Sequence, residues 1–415
     1  MKRRTFLGAA ALSTAIAVAP RVARGANARI VIVGGGFGGS ACALLLKRAD
    51  PSLDVTLIDP DERYVTCPMS NEVVVGARTI ASLTLTRAGL RHAGVRFVRA
   101  RASALDAETR NVRLDGGARL AYDACVVAPG IRFLWGTPEG YDEAAAERMP
   151  HAWEAGAQTT RLAERLRAID DGGVFAISVP AGLMRCPPGP YERASLVAEF
   201  LARHKPRSKV LIFDANNRFP RQEVLTAAWD ALYRKRLEWI PVTEGGAVQR
   251  VDPRTNTLYT STGAHRVALA NVIPPQAPGR FATDAGLASG HGWCPVVPAS
   301  FESTEVPHVH VIGDACIADA MPKAASSAMS QARQCAAAII ARLQGREPPI
   351  RQLESVCYSA LALGRAFAIR GRFRIADGHI ESDTSSSAAP TAPSTEDSAA
   401  AHDWYRSIRD TCFAA

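Results

Sequence analysis

Three glycines and one carboxylate carry the first readable chemistry of this chain. Gly34, Gly36 and Gly39 stand in the spacing G-x-G-x-x-G, and Asp59 follows about twenty residues later. In such a turn the first glycine bends the chain tightly, the second lets backbone approach a pyrophosphate, and the third lets helix and strand pack closely. A carboxylate at that distance accepts hydrogen bonds from ribose hydroxyls, while the following helix aims its N-terminal amides at phosphate. The chemistry implied is dinucleotide binding. Thiols form the second reactive set. There are nine cysteines, and an odd count leaves at least one outside any internal pairing, available to bond something else. A third candidate is Glu192, an acid near the start of an expected helix, which could manage protons or simply be stabilised at that helix end.

These residues need elements to position them. Arg29-Ile30-Val31-Ile32-Val33 is a β-branched run that leads into the glycine turn. A helix over 40–49 ends at Asp50-Pro51, and the run Val55-Thr56-Leu57-Ile58 delivers Asp59, which completes a βαβ unit. A second unit is expected from a strand over 174–179, a helix over 191–204 and a strand over 210–213 ending at Asp214. Later, a strand over 309–312 leads to Gly313-Asp314 and a small-residue helix over 324–343. A separate section begins after Gly345, and within it 383–401, rich in Ser, Ala, Thr and Pro, reads as a loop or linker.

The predicted fold class is α/β, with two Rossmann-like dinucleotide-binding domains of the FAD/NAD(P) type and a C-terminal α+β interface domain. Residues 27–145 and 260–344 form the first, 146–259 the second and 345–415 the C-terminal domain. Where the second unit would need a glycine-rich phosphate turn, the chain reads Val179-Pro180-Ala181-Gly182-Leu183-Met184-Arg185-Cys186-Pro187-Pro188-Gly189-Pro190. Prolines lack the amide donors that a phosphate cradle uses, so nicotinamide binding is not expected there.

Two segments point to a flavin. Cys125-Val126-Val127-Ala128-Pro129-Gly130 resembles the strand and turn that close the first nucleotide domain of two-dinucleotide flavoproteins, and Val311-Ile312-Gly313-Asp314 resembles their second flavin motif. That resemblance gives Gly130 a cofactor-binding place and Asp314 the ribityl chain. Four further stretches extend the likeness: Tyr64-Val65-Thr66-Cys67-Pro68-Met69-Ser70-Asn71-Glu72; Cys186-Pro187-Pro188-Gly189-Pro190-Tyr191-Glu192; Gly313-Asp314-Ala315-Cys316 with Met321-Pro322-Lys323; and Val356-Cys357-Tyr358-Ser359. Together they resemble the flavoprotein subunit of flavocytochrome c sulfide dehydrogenase, almost from end to end. The resemblance implies FAD tethered through Cys67 by a thioether to the flavin 8α-methyl group, although Pro68 replaces the aromatic residue usual after that cysteine. It also implies a redox-active disulfide between Cys186 and Cys357, Glu192 as proton manager, and Lys323 and Trp404 near the flavin. The other six cysteines are expected to be small apolar packers.

No C-x-x-C-H occurs, so any haem c belongs to a partner, which the resemblance makes a cytochrome c subunit. No residue set suggests a metal. Arg3-Arg4, then Thr5-Phe6-Leu7 and an alanine-rich run, resemble a twin-arginine export signal over 1–26, which implies a periplasmic protein. The formal net charge of +9 falls to about +4 once the five cations of that segment are set aside, and no basic run is interleaved with aromatics, so nucleic acid is not an expected partner. Sulfide:quinone oxidoreductase is the alternative enzyme, ranked lower because the C-terminus reads as short and polar, without the amphipathic helix pair of a membrane-bound enzyme. A non-catalytic flavoprotein subunit of a sulfur-oxidising complex is the alternative outside enzymes. The expected substrate is a small sulfur compound.

Overall fold

The structure is a computed structural model and describes residues 27–288, 290, 292–383 and 392–413. The expected export signal lies outside the described residues.

The first unit is a seven-stranded sheet in the order Val296–Val297, Glu302–Ser303, Val309–Val311, Ala124–Val127, Arg29–Val33, Asp54–Asp59, Arg96–Arg99. Its last five strands run parallel. Such strands are covered on both faces, which is why they read as near-continuous apolar runs; Ile30, Ile32, Leu57 and Val126 have no exposed surface. The helices Phe37–Ala49 and Ala325–Leu343 pack together.

Register explains the placement of the motifs. Val33 pairs with Ile58 and with Val127, and Val127 with Val311. Gly34, Asp59, Ala128 and Ile312 therefore leave the sheet side by side at its carboxyl edge, where open α/β sheets bind ligands.

The second unit is a four-stranded parallel sheet in the order Leu237–Ile240, Lys209–Asp214, Val174–Val179, Leu269–Val272. The last strand corrects the expected boundary at 260. Leu269–Val272 pairs with Val174–Val179 and belongs to the second unit, because its short apolar run completes that sheet's buried edge. The chain crosses between the units on two antiparallel strands, Ile131–Phe133 and Gln276–Pro278.

The C-terminal section is a three-stranded antiparallel meander, Leu353–Ala362, Arg365–Ala376 and His379–Ser382, followed by the helix Thr395–Phe413. That helix corrects two expectations. Of the stretch 383–401, residues 395–401 are helical. The terminus is also not merely polar, since Ala401, Tyr405, Ile408 and Cys412 form a buried helical stripe. No helix among the described residues is long and apolar enough to cross a membrane.

Candidate active site

A cavity of about 990 Å³ opens along the carboxyl edge of the first sheet and continues between the second unit and the C-terminal section. The glycine turn forms one end, and close packing dictates its sequence. A Cβ on Gly34, where φ is +101°, would lie 2.2 Å from the Ala128 carbonyl oxygen, and one on Gly39 would lie 1.9 Å from the Gly34 oxygen. Gly36 lines the cavity at the start of Phe37–Ala49, whose N-terminus has no side-chain cap. Those amides remain free for an anion.

Asp59 accepts a hydrogen bond from the Gly35 amide at 2.6 Å and pairs at 3.3 Å with Arg87, whose side chain is wholly buried. Arg87 also donates to the oxygens of Gly35 and Asp61. Burial pulls its pKa down, and Asp59 opposes that. The sequence reading missed Arg87, which has no local signature. Arg87 Nε and Arg132 Nε are buried without a partner, and both arginines line the cavity. Unsatisfied cationic donors, an uncapped helix end and a carboxylate suit the pyrophosphate and ribose of a dinucleotide, so the residues present fit the FAD that the sequence implies.

The expected sulfur chemistry falls in the same space. Cys67, Cys186, Cys357 and Glu192 all line the cavity, although they come from three separate regions of the chain. Cys67 lies in the turn between Arg63–Val65 and Ser70–Val74, where its carbonyl accepts from the Ser70 amide at 3.0 Å. Cys186 adopts a left-handed conformation, φ 53°, held by bonds from its own amide to the Lys323 oxygen and from the Gly189 amide to its oxygen, both 2.8 Å. Gly189 leaves it room, because a Cβ there would sit 3.0 Å from the Cys186 sulfur. Cys357 comes from Leu353–Ala362, its sulfur 3.7 Å from Ser326 Oγ.

All nine cysteines are free thiols in this structure. Cys186 is exposed to the cavity; desolvation by the protein around it, followed by the neighbouring Glu192 and Cys357, raises its thiol above the ordinary range. Burial pushes Cys357 up to about 11, with the Ser326 hydrogen bond opposing. The remaining six cysteines are buried, and Cys316 donates to the Gly313 oxygen at 3.2 Å.

Glu192 lies in the first turn of Gly189–His204 but does not behave as a carboxylate eased by a helix end. Burial raises it to about 7, against the hydrogen bonds it accepts from Asn71 Nδ2 at 2.8 Å and the Ala360 amide at 3.4 Å. Asn71 in turn accepts from Arg193 Nε at 2.9 Å, and burial lowers that guanidinium to about 10. Neither Asn71 nor Arg193 was foreseen. A carboxyl whose folded pKa is raised favours folding when protonated, so its contribution is fullest below its unfolded pKa and is lost as pH rises through about 7. Glu192→Gln should therefore gain about 2.5 kcal/mol relative to the parent between pH 5 and pH 8. Urea unfolding of both proteins at the two pH values checks this; an equal difference at both would contradict it.

Asp314 lies in the turn Gly313–Ala315 and lines the cavity, its carboxyl raised by burial and lowered by Arg185 and Lys323. Gly130 and Trp404 also line the cavity, and Trp404 meets Tyr358 at 5.9 Å between ring centroids. Lys323 is not among the cavity-lining residues. Its ammonium donates to the oxygens of Asp314 and Cys316 at 2.8 and 2.9 Å and sits 3.7 Å from the centre of the Trp293 ring. Those local carbonyls satisfy two of its donors and hold its charge beside Asp314. Its place in the cavity is taken by Arg185, another residue not foreseen. Glu72 accepts from Arg78 Nε at 2.7 Å, and Arg78 reaches His402 at 3.1 Å, which ties the C-terminal helix to the cavity rim.

In the second unit, the carboxylate at the end of the second strand is already engaged. Asp214 is fully buried and accepts from Tyr191 at 2.6 Å, Trp239 at 2.9 Å and Asn216 Nδ2 at 2.8 Å. Tyr191 stacks on Phe219 at 4.0 Å and completes an aromatic plug.

Residues 28–176 match the family of pyridine nucleotide-disulphide oxidoreductases. Residues 159–274 match the central part of the sulfide dehydrogenase [flavocytochrome c] flavoprotein chain family. The corresponding chain of Chlorobaculum thiosulfatiphilum is 56% identical over 45 residues, which is 11% of this chain and 94% of that sequence. Mitochondrial sulfide:quinone oxidoreductase of Mus musculus is 27% identical over 116 residues, 27% of this chain and about a quarter (26%) of that protein. Among solved structures, sulfide:quinone oxidoreductase of Aquifex aeolicus superposes with a TM-score of 0.73 over 94% of this chain and 93% of that one, at 16% identity. That likeness establishes the fold.

Proposed function

Since this chain belongs to the family of the flavoprotein chain of flavocytochrome c sulfide dehydrogenase, a family of sulfide-oxidising flavoproteins, we propose that it oxidises sulfide, or a related small sulfur compound, through a Cys186–Cys357 disulfide and passes the electrons to a cytochrome c subunit. One observation carries the reading: Cys67, Cys186, Cys357 and Glu192 share a cavity with the glycine turn and Asp314.

The glycine turn, Asp59, Arg87 and Arg132 would hold the pyrophosphate and ribose of FAD, Asp314 the ribityl chain, and Cys67 the covalent tether. Bound there, FAD supplies a two-electron acceptor. Hydrosulfide attacks one sulfur of the disulfide: a new S–S bond forms, the old one breaks, and the other cysteine leaves as a thiolate that holds the electron pair for the flavin. The new persulfide carries one proton, and Glu192, raised to about 7, is suited to take it near neutral pH. The plugged second unit supports an acceptor other than nicotinamide. The buried stripe of the C-terminal helix supports a soluble acceptor over a membrane quinone, because that stripe is spent on the fold. Export by a twin-arginine signal over 1–26 to the periplasm accords with covalent flavin, since an exported protein cannot be reloaded.

Anaerobic addition of one equivalent of sulfide to purified protein should bleach the flavin, with steady turnover on a c-type cytochrome and none on NAD⁺. Flavin that stays oxidised would favour a non-catalytic subunit. Turnover only on quinone in vesicles would favour a sulfide:quinone oxidoreductase.

A further inference from the structure

We infer that Arg185 is a catalytic residue of this site, a fixed cation that stabilises the negative charge on the reduced flavin. The inference rests on the flavin placement proposed above and extends it.

Arg185 lines the cavity with 19% of its side chain exposed, and its Nη1 lies 4.0 Å from Asp314 Oδ2. Its amide donates to Gln276 Oε1 at 2.9 Å, and its guanidinium donates to the Trp153 oxygen, so backbone and side chain are both anchored. Its electrostatic neighbours are Cys67, Asp314, Tyr64 and Glu154. A flavin tethered at Cys67 and held by its ribityl chain at Asp314 must have its ring system near both, and Arg185 interacts with both. A flavin that gains an electron pair and one proton carries one net negative charge. Inside a cavity that charge is poorly screened, and a positioned guanidinium offsets it. Other cations meet this need less well. Lys323 does not line the cavity, Arg193 is wholly buried among Asn71, Asn271 and the oxygens of His151 and Ala152, and Arg87 lies at the glycine turn beside Gly35 and Asp59.

Two variants separate charge from scaffold. Arg185→Gln keeps a donor for the Trp153 oxygen and removes the charge, whereas Arg185→Lys keeps the charge. The readout is equilibrium reduction of the bound flavin against a reference dye, a measurement that needs no sulfide turnover. At fixed poise the reduced-to-oxidised ratio should fall at least tenfold in Arg185→Gln, a midpoint about 30 mV lower for a two-electron couple, and should stay within about threefold of the parent in Arg185→Lys. An unchanged ratio in Arg185→Gln, or equal shifts in both variants, would overturn the inference and leave the proposed sulfide chemistry intact. A parent protein that contains no flavin, or is not bleached by sulfide, would overturn the underlying reading instead.

Discussion

With Cys357 replaced by serine, sulfide should leave the flavin oxidised, its reduction slowed on the order of 10³-fold or more. Serine fits the space and can still approach Ser326, so packing around Leu353–Ala362 is retained. What disappears is the second sulfur. Without it no disulfide exists for hydrosulfide to open, and no thiolate is released to hold the electron pair. Cys186→Ser should behave alike, and the double variant should be no slower than either single one, because groups that act as one unit are not additive. Stopped-flow absorbance under anaerobic conditions measures all three. Near-parental flavin reduction in either single variant would contradict the assignment.

Cys67→Ala should release the flavin. From the parent protein, acid precipitation should carry the yellow cofactor into the pellet; from the variant, it should leave nearly all of it in the supernatant. Affinity should persist in the folded variant, because the glycine turn, Asp59 and Arg87 do not depend on Cys67. The flavin potential should fall, since thioether attachment at the 8α position raises it. Free flavin from the parent would contradict the tether, and a variant that retains covalent flavin would move it to another residue.

The glycine turn was legible because its demands are backbone demands. Only residues without a Cβ fit at Gly34 and Gly39, and the flanking strand and helix announce themselves by composition. The second unit showed its missing phosphate turn through prolines. Arg87, Arg185 and Arg193 were not legible, since each owes its role to partners that the fold brings from elsewhere. Arg193, for example, reaches Asn71 across 122 positions. The C-terminal helix was hidden by its Ser, Ala and Thr, although Ala401, Tyr405, Ile408 and Cys412 recur at helical spacing and are buried together. The boundary near 260 failed because Leu269–Val272 is too short to declare its sheet until it pairs.

Peptide mapping of the purified, air-oxidised protein under non-reducing conditions puts the account to its most direct test. It should yield the peptide containing Cys186 joined to the one containing Cys357, two hydrogens lighter than the separate thiols, and the joined pair should gain one sulfur after one equivalent of anaerobic sulfide, since the electron pair has then left for the flavin. Recovery of both cysteines as free thiols from the oxidised protein, or of either one bonded to a different cysteine, would contradict the account.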